Sequence, residues 1–332
     1  MNRFLTIIAS VCCLWLFGTD RAVAQKLSDN AEVYLLTCTP GCETWSRYGH
    51  TAIRVVDTPQ DIDMVFNYGI FSFQTEGFYL KFIQGETYYQ LGIEPYPYFQ
   101  AFYSSIGRTT YWQLLNLTPP QKQQIFNDLL TNYLPENRYY LYNFVFDNCA
   151  TRPYYILKHA LGDTILSSYK GLEGTSYREA ISHYTGKNNW VDFGINMVFG
   201  ANANQPMHNE QRLFLPEELM YYIAEARFSD GTPLVRKQHI APFTIQPTPW
   251  YANCWVGIGI FTLCLILLNL YDRKRNKMTC WIDVVLLIIY LVIVAISVFL
   301  TFFSIHPLVG FNWRLLLLPS IHLCTRLIYI LR

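Results

Sequence analysis

The sequence predicts an α+β fold with a mainly antiparallel sheet, followed by transmembrane helices at the C-terminal end. Three observations lead to this prediction: an apolar leader at the N-terminus, β-prone segments that mostly precede the helical ones, and three long apolar stretches near the C-terminus. The composition agrees, because 52% of the 332 residues are hydrophobic and only 15% are charged. A net charge of +1 gives no electrostatic basis for binding nucleic acid, so we expect no such partner.

The N-terminal residues 1–24 have the features of a secretory signal peptide. Arg3 supplies a positive charge, an apolar stretch follows, and the tripeptide AVA at 22–24 is a small-residue cleavage site. The apolar stretch is shorter than the ~20 residues that a membrane span requires. We therefore expect cleavage after residue 24, which leaves an exported domain over residues 25–250.

The three apolar stretches near the C-terminus are each about as long as a bilayer span, and they cover residues 251–271, 280–303 and 313–331. The loop at 272–279 between the first two contains the basic sequence DRKRNK. The positive-inside rule places this loop in the cytoplasm. The domain and the loop at 304–312 then lie on the periplasmic side of the inner (cytoplasmic) membrane, which agrees with an export signal.

The exported domain begins with β-prone segments. The segment that starts at His50 alternates as a strand does, so that His50, Ala52 and Arg54 share one face. An aromatic run later in the domain is also strongly β-prone. The predicted strands cover residues 33–36, 50–55, 64–68, 109–115 and 139–146.

Helix signals come mostly after these strands. Thr118, two prolines and Gln121 form the pattern of a capping box, and Pro135 ends that helix. A second helix starts near residues 148–151, because Pro153 must lie in its first turns, and Gly162 ends it. Two shorter helices are predicted at 177–184 and 216–227, with an irregular stretch at 187–211 between them.

Cys149 lies at the start of the second helix, directly after the aromatic strand. A helix N-terminus and a neighbouring histidine lower the pKa of a thiol and make it a nucleophile. His50 is the best-placed histidine, since a strand holds its side chain firmly and Gly49 leaves room beside the ring. The other interpretation stays open, because a buried and inert cysteine is the commoner case.

Cys38 and Cys42 flank a Pro-Gly turn in what would be an oxidising compartment. They form a small structural disulfide in one interpretation, and Cys38 replaces Cys149 as the nucleophile in the other. No cluster of histidine, cysteine and carboxylate has the spacing of a metal site, so we predict no metal and no cofactor.

Several segments resemble the Lnb N-terminal periplasmic domain family. They are LLTCTPGCETWSRYGHTAIRV (35–55), VFNYGIFSF (65–73), FYLKFIQGETYYQL (78–91) and FDNCATRPYYIL (146–157), and HPLVGFNW (306–313) resembles the membrane part of long members. The histidine-before-cysteine order, with Asn-Cys opening a helix, is also similar to NlpC-type peptidases and lecithin–retinol acyltransferases. The resemblance implies a permuted papain-like (NlpC-like) domain. Cys42 departs from relatives, which have polar residues there.

Members of this family are lipoprotein N-acyltransferases. The resemblance implies that Cys149 takes an acyl chain from a phospholipid as a thioester and that His50 is the base. The chain then passes to the α-amine of the N-terminal cysteine of a diacylated or lyso-form lipoprotein. The implied partners are therefore the phospholipid donor, the lipoprotein acceptor and the inner membrane.

The implied mechanism suggests roles for further residues, of which Asn67 is chosen because it lies on the strand next to that of His50. Asn67 is expected to orient His50. In the alternative interpretation, its side chain only makes a hydrogen bond at a turn or at the edge of the sheet. Arg152 and Glu43 bind the headgroup or shape the site, unless they form a surface ion pair. Asn148 and Tyr68 are expected beside the substrate or the oxyanion, together with backbone N–H groups at the start of the Cys149 helix.

The aromatic runs FYLKF (78–82) and PYPYFQAFY (95–103) suit a domain that rests in the membrane interface, although most of their rings must pack in the core. Two other functions remain. One is a papain-like peptidase or amidase that acts on the cell wall, and the other is a non-enzymatic membrane scaffold in which Cys149 is packed. The low charge and the membrane anchor argue against the first, because a wall polymer needs a polar groove.

Overall fold

The computed structural model describes residues 25–162, 166–277 and 279–312. The predicted signal peptide at 1–24 and the third apolar stretch at 313–331 lie outside these residues. The described strands are β1 (Glu32–Cys38), β2 (His50–Asp57), β3 (Ile62–Ile70), β4 (Tyr88–Pro95), β5 (Thr110–Leu115), β6 (Tyr139–Leu141), β7 (Leu166–Ser167), β8 (Ala226–Arg227) and β9 (Val235–His239). Seven of them form one sheet in the order β6-β4-β3-β2-β1-β5-β9, and all of its pairs are antiparallel.

Helices follow and interrupt these strands. They are α1 (Phe78–Gln84), α2 (Tyr96–Ser105), α3 (Pro119–Tyr133), α4 (Thr151–Leu161), α5 (Tyr177–Thr185), α6 (Trp190–Val198), α7 (Pro216–Glu225), α8 (Cys254–Arg275) and α9 (Cys280–Phe303). The fold class is therefore confirmed as α+β with an antiparallel sheet, followed by long apolar helices. The capping box of Thr118 and Gln121 is also present at the start of α3.

The sheet is covered on both faces, which explains its strongly apolar strands. On one face the side chains of β1, β2 and β3 pack against α3, α4 and α7, with Phe66, Leu129 and Leu157 at the centre. On the other face Leu36, Ala52 and Val65 pack against α2 through Phe99. Burying apolar side chains of this size contributes roughly 1.5–3 kcal/mol each to folding.

The helices α8 and α9 are each long and apolar enough to cross a membrane. The first residue of α8, Cys254, donates its backbone N–H to Asn188 of the domain. The segment after α9 returns to the domain, where Val309 bridges Phe199. The two helices thus form a hairpin whose open end lies at the domain and whose turn lies at the far end.

Seven of the described helices and strands were not predicted, and one strand was predicted too long. The aromatic run from Tyr139 forms a strand only as far as Leu141, because Asn143 and Asp147 pair with each other across a tight turn. The missed elements are the helices α1, α2 and α6 and the strands β4, β7, β8 and β9. Of these, α6 lies within the stretch at 187–211 that was expected to be irregular.

Candidate active site

The candidate site lies at one end of the sheet, where β1 ends and β2 and β5 begin. Cys38 is the register partner of His50 on one side and of Thr110 on the other, so the three residues form a row across the sheet. The α4 segment brings Cys149 to the same place. A Cβ atom on Gly69 would lie 3.5 Å from Cβ of Cys149 and 4.0 Å from Cε1 of His50. The thiol and the imidazole therefore flank the same glycine.

Gly69 leaves open space between these two side chains. It lies at an irregularity in β3, between Tyr68 and Ile70, and has a φ of +94°. An L side chain rarely adopts this conformation, and any side chain here would be pressed between Cys149 and His50. Both of the flanking residues are partly exposed.

Asn148 fixes the turn that carries Cys149. Its Oδ1 accepts from the backbone N–H groups of Ala150 (2.8 Å) and Thr151 (2.9 Å). Its Nδ2 donates to the backbone carbonyls of Phe144 and Phe214, each at 2.8 Å. With all of these bonds made in a side chain that is 2% exposed, the amide holds the helix start rigidly.

His50 is oriented by a second amide. Its Nε2 lies 2.6 Å from Oδ1 of Asn67, whose Nδ2 in turn donates to Glu94 at 3.2 Å. Because Asn67 uses its N–H there, its oxygen faces the ring, so Nε2 of His50 carries the proton. The neutral ring then has Nδ1 free to accept a proton.

Tyr103 and Arg108 lie behind the imidazole. The Tyr103 ring stacks on the His50 ring with centroids 5.9 Å apart. The guanidinium of Arg108 lies 4.8 Å from the centroid of the Tyr103 ring. Arg108 is only 8% exposed, and its Nε donates to the carbonyl of Thr39. Its charge lowers the pKa of the Cys149 thiol and also that of His50.

Burial controls the protonation of the pair. It raises the pKa of Cys149 to about 11, against the smaller lowering by the backbone N–H of Thr51 and the charge of Arg108. Burial also lowers the pKa of His50 to about 4, although the bond to Asn67 raises it. The expected lowering of the thiol pKa is therefore wrong for the resting protein, because desolvation of the thiolate outweighs the helix and its neighbours. The pair rests as a neutral thiol beside a neutral imidazole.

Comparison with protein-family models identifies the family to which the chain belongs. Residues 20–182 match the Lnb N-terminal periplasmic domain, and residues 247–332 match the Lnb transmembrane domain. The chain belongs to the Lnb family. Comparisons with curated proteins and with solved structures returned no match. Membership makes the chain a membrane protein of lipoprotein maturation whose N-terminal domain is periplasmic, and it indicates an enzyme.

The structure bears on both interpretations of Cys38 and Cys42, the disulfide and the alternative nucleophile. Cys38 and Cys42 are both free thiols, so the disulfide interpretation is wrong. Cys38 is fully buried with Sγ 3.7 Å from Oγ1 of Thr110, whereas Cys42 is exposed in the following loop. Burial raises the pKa of Cys38 to about 12, which makes it the poorer nucleophile of the two residues beside His50.

The remaining predicted substrate contacts are occupied elsewhere. Asn148 is a capping residue, and Tyr68 is fully buried in the core with its hydroxyl bound to Asn132. Arg152 forms a two-pronged ion pair with Asp147 at 2.6 and 2.8 Å. The exposed Glu43 makes no ion pair with any described residue. Neither Asn148 nor Tyr68 is therefore placed to touch a substrate.

The oxyanion donors also differ from the expectation. The N–H groups of Ala150 and Thr151 are already bound to Asn148, so the start of α4 does not offer them to a ligand. The N–H of Cys149 itself and the N–H of Thr51 face the sulfur instead. These two N–H groups are therefore the candidate oxyanion donors among the described residues.

The residues that the structure describes contain no group of three or more histidine, cysteine and carboxylate side chains able to hold a metal ion. Glu94, Tyr103 and Arg108 are the site residues that sequence reasoning missed. Tyr89, Leu91 and Ile93 alternate with polar residues and glycine in the strand that carries Glu94, and this alternation is the signal by which it could have been found.

Proposed function

We propose that the chain is a lipoprotein N-acyltransferase. It moves a fatty acyl chain from a phospholipid, through a thioester on Cys149, to the α-amine of the N-terminal cysteine of a diacylated or lyso-form lipoprotein. The observation that supports this most is the placement of Cys149 and His50 on either side of Gly69, in a domain joined to two apolar helices. Family membership supports the same setting.

The first half-reaction forms the thioester. Nδ1 of His50 takes the proton of the Cys149 thiol as sulfur attacks the ester carbonyl of the phospholipid. The carbonyl oxygen becomes an oxyanion, and each backbone N–H that reaches it contributes about 3–4 kcal/mol to lowering the barrier. The intermediate then expels the glycerol alkoxide, which takes the proton back from the imidazolium and leaves as a lysophospholipid.

The second half-reaction transfers the chain. The amine of the lipoprotein attacks the thioester carbonyl, and His50 removes a proton from the nitrogen. Collapse of the intermediate forms the amide and releases the Cys149 thiolate, which regains the proton from His50. A neutral imidazole is required at the start of both halves, and the lowered pKa of His50 supplies it.

The proposed location is the inner membrane, with several spans. The open end of the α8–α9 hairpin lies at the periplasmic domain, so its turn lies across the bilayer. That end carries Arg273, Lys274 and Arg275 in the last turn of α8, as the positive-inside rule requires of a cytoplasmic loop. Donor and acceptor are then anchored in the same leaflet as the enzyme.

The test is intact-mass spectrometry of the full chain in phospholipid vesicles. We expect a mass increase of one acyl chain that hydroxylamine removes and that a synthetic lipopeptide with a free N-terminal amine discharges. Cys149→Ala must lose this adduct, whereas Cys38→Ala, the matched control, must keep it. An adduct that persists on Cys149→Ala would reject the assignment, and cleavage of cell-wall peptides without acylation would favour an amidase.

A further inference from the structure

One surface of the periplasmic domain exposes large apolar side chains beside the membrane helices. We call it the α1 surface, and it consists of Trp45, Phe73, Tyr79, Leu80, Phe82 and Ile83. Tyr79 is 73% exposed, Leu80 54% and Ile83 43%. The helix carries one cation, Lys81, and no acidic residue. Apolar groups of this size are seldom left in water without a partner.

The α1 surface is fixed to the end of a membrane helix. The backbone N–H of Ile305, two residues beyond α9, donates to the carbonyl of Gln84 at 2.8 Å. Nε2 of His306 lies 2.8 Å from the carbonyl of Phe82. Gly85 allows this approach, since a Cβ there would lie 3.0 Å from Ile305. The helix α1 is therefore held at the level where α9 leaves the bilayer.

The same surface continues toward the active site. Aromatic contacts connect Phe82 to Phe78 (5.9 Å between centroids), Phe78 to Phe73 (5.0 Å) and Phe73 to Trp45 (5.4 Å). Trp45 lies in the loop between Cys42 and His50. An apolar path thus runs from the end of a span to the loop that leads into the catalytic strand.

We propose that the α1 surface lies in the periplasmic leaflet and binds phospholipid acyl chains there. The occupant is lipid, because the surface continues the exposed apolar side chains at the end of α9, such as Phe302 and Phe303. Rings and aliphatic side chains of an interfacial helix enter the boundary of the acyl region, while a lysine reaches the phosphates. The supply of acyl chains to Cys149 rests on the proposed function, whereas the contact with lipid does not.

A photo-crosslink tests the contact. Benzoylphenylalanine is introduced at position 79 of the full chain carrying Cys149→Ala, which is then reconstituted in vesicles of phosphatidylethanolamine and phosphatidylglycerol. Position 155 is the control, because Tyr155 is 55% exposed on α4 and borders a cavity lined by Asp128, Asp147 and Arg152. Illumination should add the mass of a phospholipid at position 79 and not at 155. Equal labelling, or none at 79, would overturn the proposal.

A charge substitution tests the role in supply. Leu80→Glu combined with Ile83→Glu should slow formation of the acyl-enzyme from vesicles by roughly tenfold or more, since carboxylates resist the interface. The same variant should react normally with a short, water-soluble thioester, and Tyr155→Glu should leave both rates unchanged. An equal loss with the soluble thioester, or no loss with vesicles, would show that the surface does not deliver the donor.

Discussion

Asn67→Ala removes the group that orients His50, the base of the proposed mechanism. In the native site its Oδ1 accepts the Nε2 proton of His50 over 2.6 Å, and no other described residue has a hydrogen bond to that ring. The substitution leaves a largely buried N–H without an acceptor and frees the ring to rotate away from Cys149. We therefore expect slower acylation of Cys149 in a domain that still folds.

The magnitude follows from the cost of an unsatisfied buried polar group, about 1–3 kcal/mol. At 1.36 kcal/mol for each factor of ten, this corresponds to a fall of roughly 5- to 150-fold in the acylation rate. The direction in which the pH profile shifts gives an independent test. The bond to Asn67 raises the pKa of His50, so its loss should move the acid limb of the profile below the native value of about 4.

The assay is the rate at which intact-mass spectrometry detects the acyl-enzyme in vesicles, measured from pH 3.5 to 8. Asn132→Ala is the matched control, because Nδ2 of Asn132 donates a hydrogen bond to the hydroxyl of the buried Tyr68, on the opposite face of the sheet. The control should lower thermal stability and leave acylation unchanged. A rate for Asn67→Ala within twofold of the native rate, or an acid limb that moves upward, would refute the reasoning.

Three further substitutions test other residues of the site. Gly69→Ala should reduce the rate of Cys149 acylation at least about tenfold. Gly107→Ala is the control, because Gly107 also has a positive φ but no atom lies within 4 Å of the new Cβ; it should lower only the stability. Equal losses of activity in the two variants would contradict this. Arg108→Gln should raise the pKa of the Cys149 thiol and that of His50, because the charge of Arg108 lowers both. Iodoacetamide should then alkylate Cys149 more slowly at pH 9, and the acid limb of the acylation pH profile should move upward from about 4. Faster alkylation would argue against this. Asn148→Ala should lower the free energy of unfolding by about 2–4 kcal/mol, because it removes four side-chain hydrogen bonds at the start of α4. The measurement is Tm in detergent, and an unchanged Tm would show that the cap is dispensable.

Local chemistry explains which parts of the fold were predictable. The helix α3 was found because Thr118, two prolines and Gln121 specify its start within four residues. The start of α4 was found because Pro153 is tolerated only in a first turn. The aromatic run after Tyr139 was misjudged, since β-propensity measures how side chains pack and Asn143 turns the chain before a longer strand can pair.

The site was predicted only in its local parts. Cys149 and His50 stand out because each begins an element whose pattern is readable, and Asn67 lies on a neighbouring strand. Arg108 is invisible in sequence, because its influence comes from a fold in which β5 lies beside β1. The resting pKa of the thiol was missed for a related reason, since desolvation depends on packing from distant segments.

The neutral resting state of the thiol has a consequence for durability. Oxidants and disulfides attack thiolates, and a group whose pKa is about 11 is almost entirely protonated at pH 7. If Cys149 is the nucleophile of the proposed mechanism, its protonated state protects it against sulfenic acid formation and mixed disulfides in an oxidising compartment. In that mechanism the sulfur becomes nucleophilic only when an ester lies against it and the imidazole removes the proton in the same step.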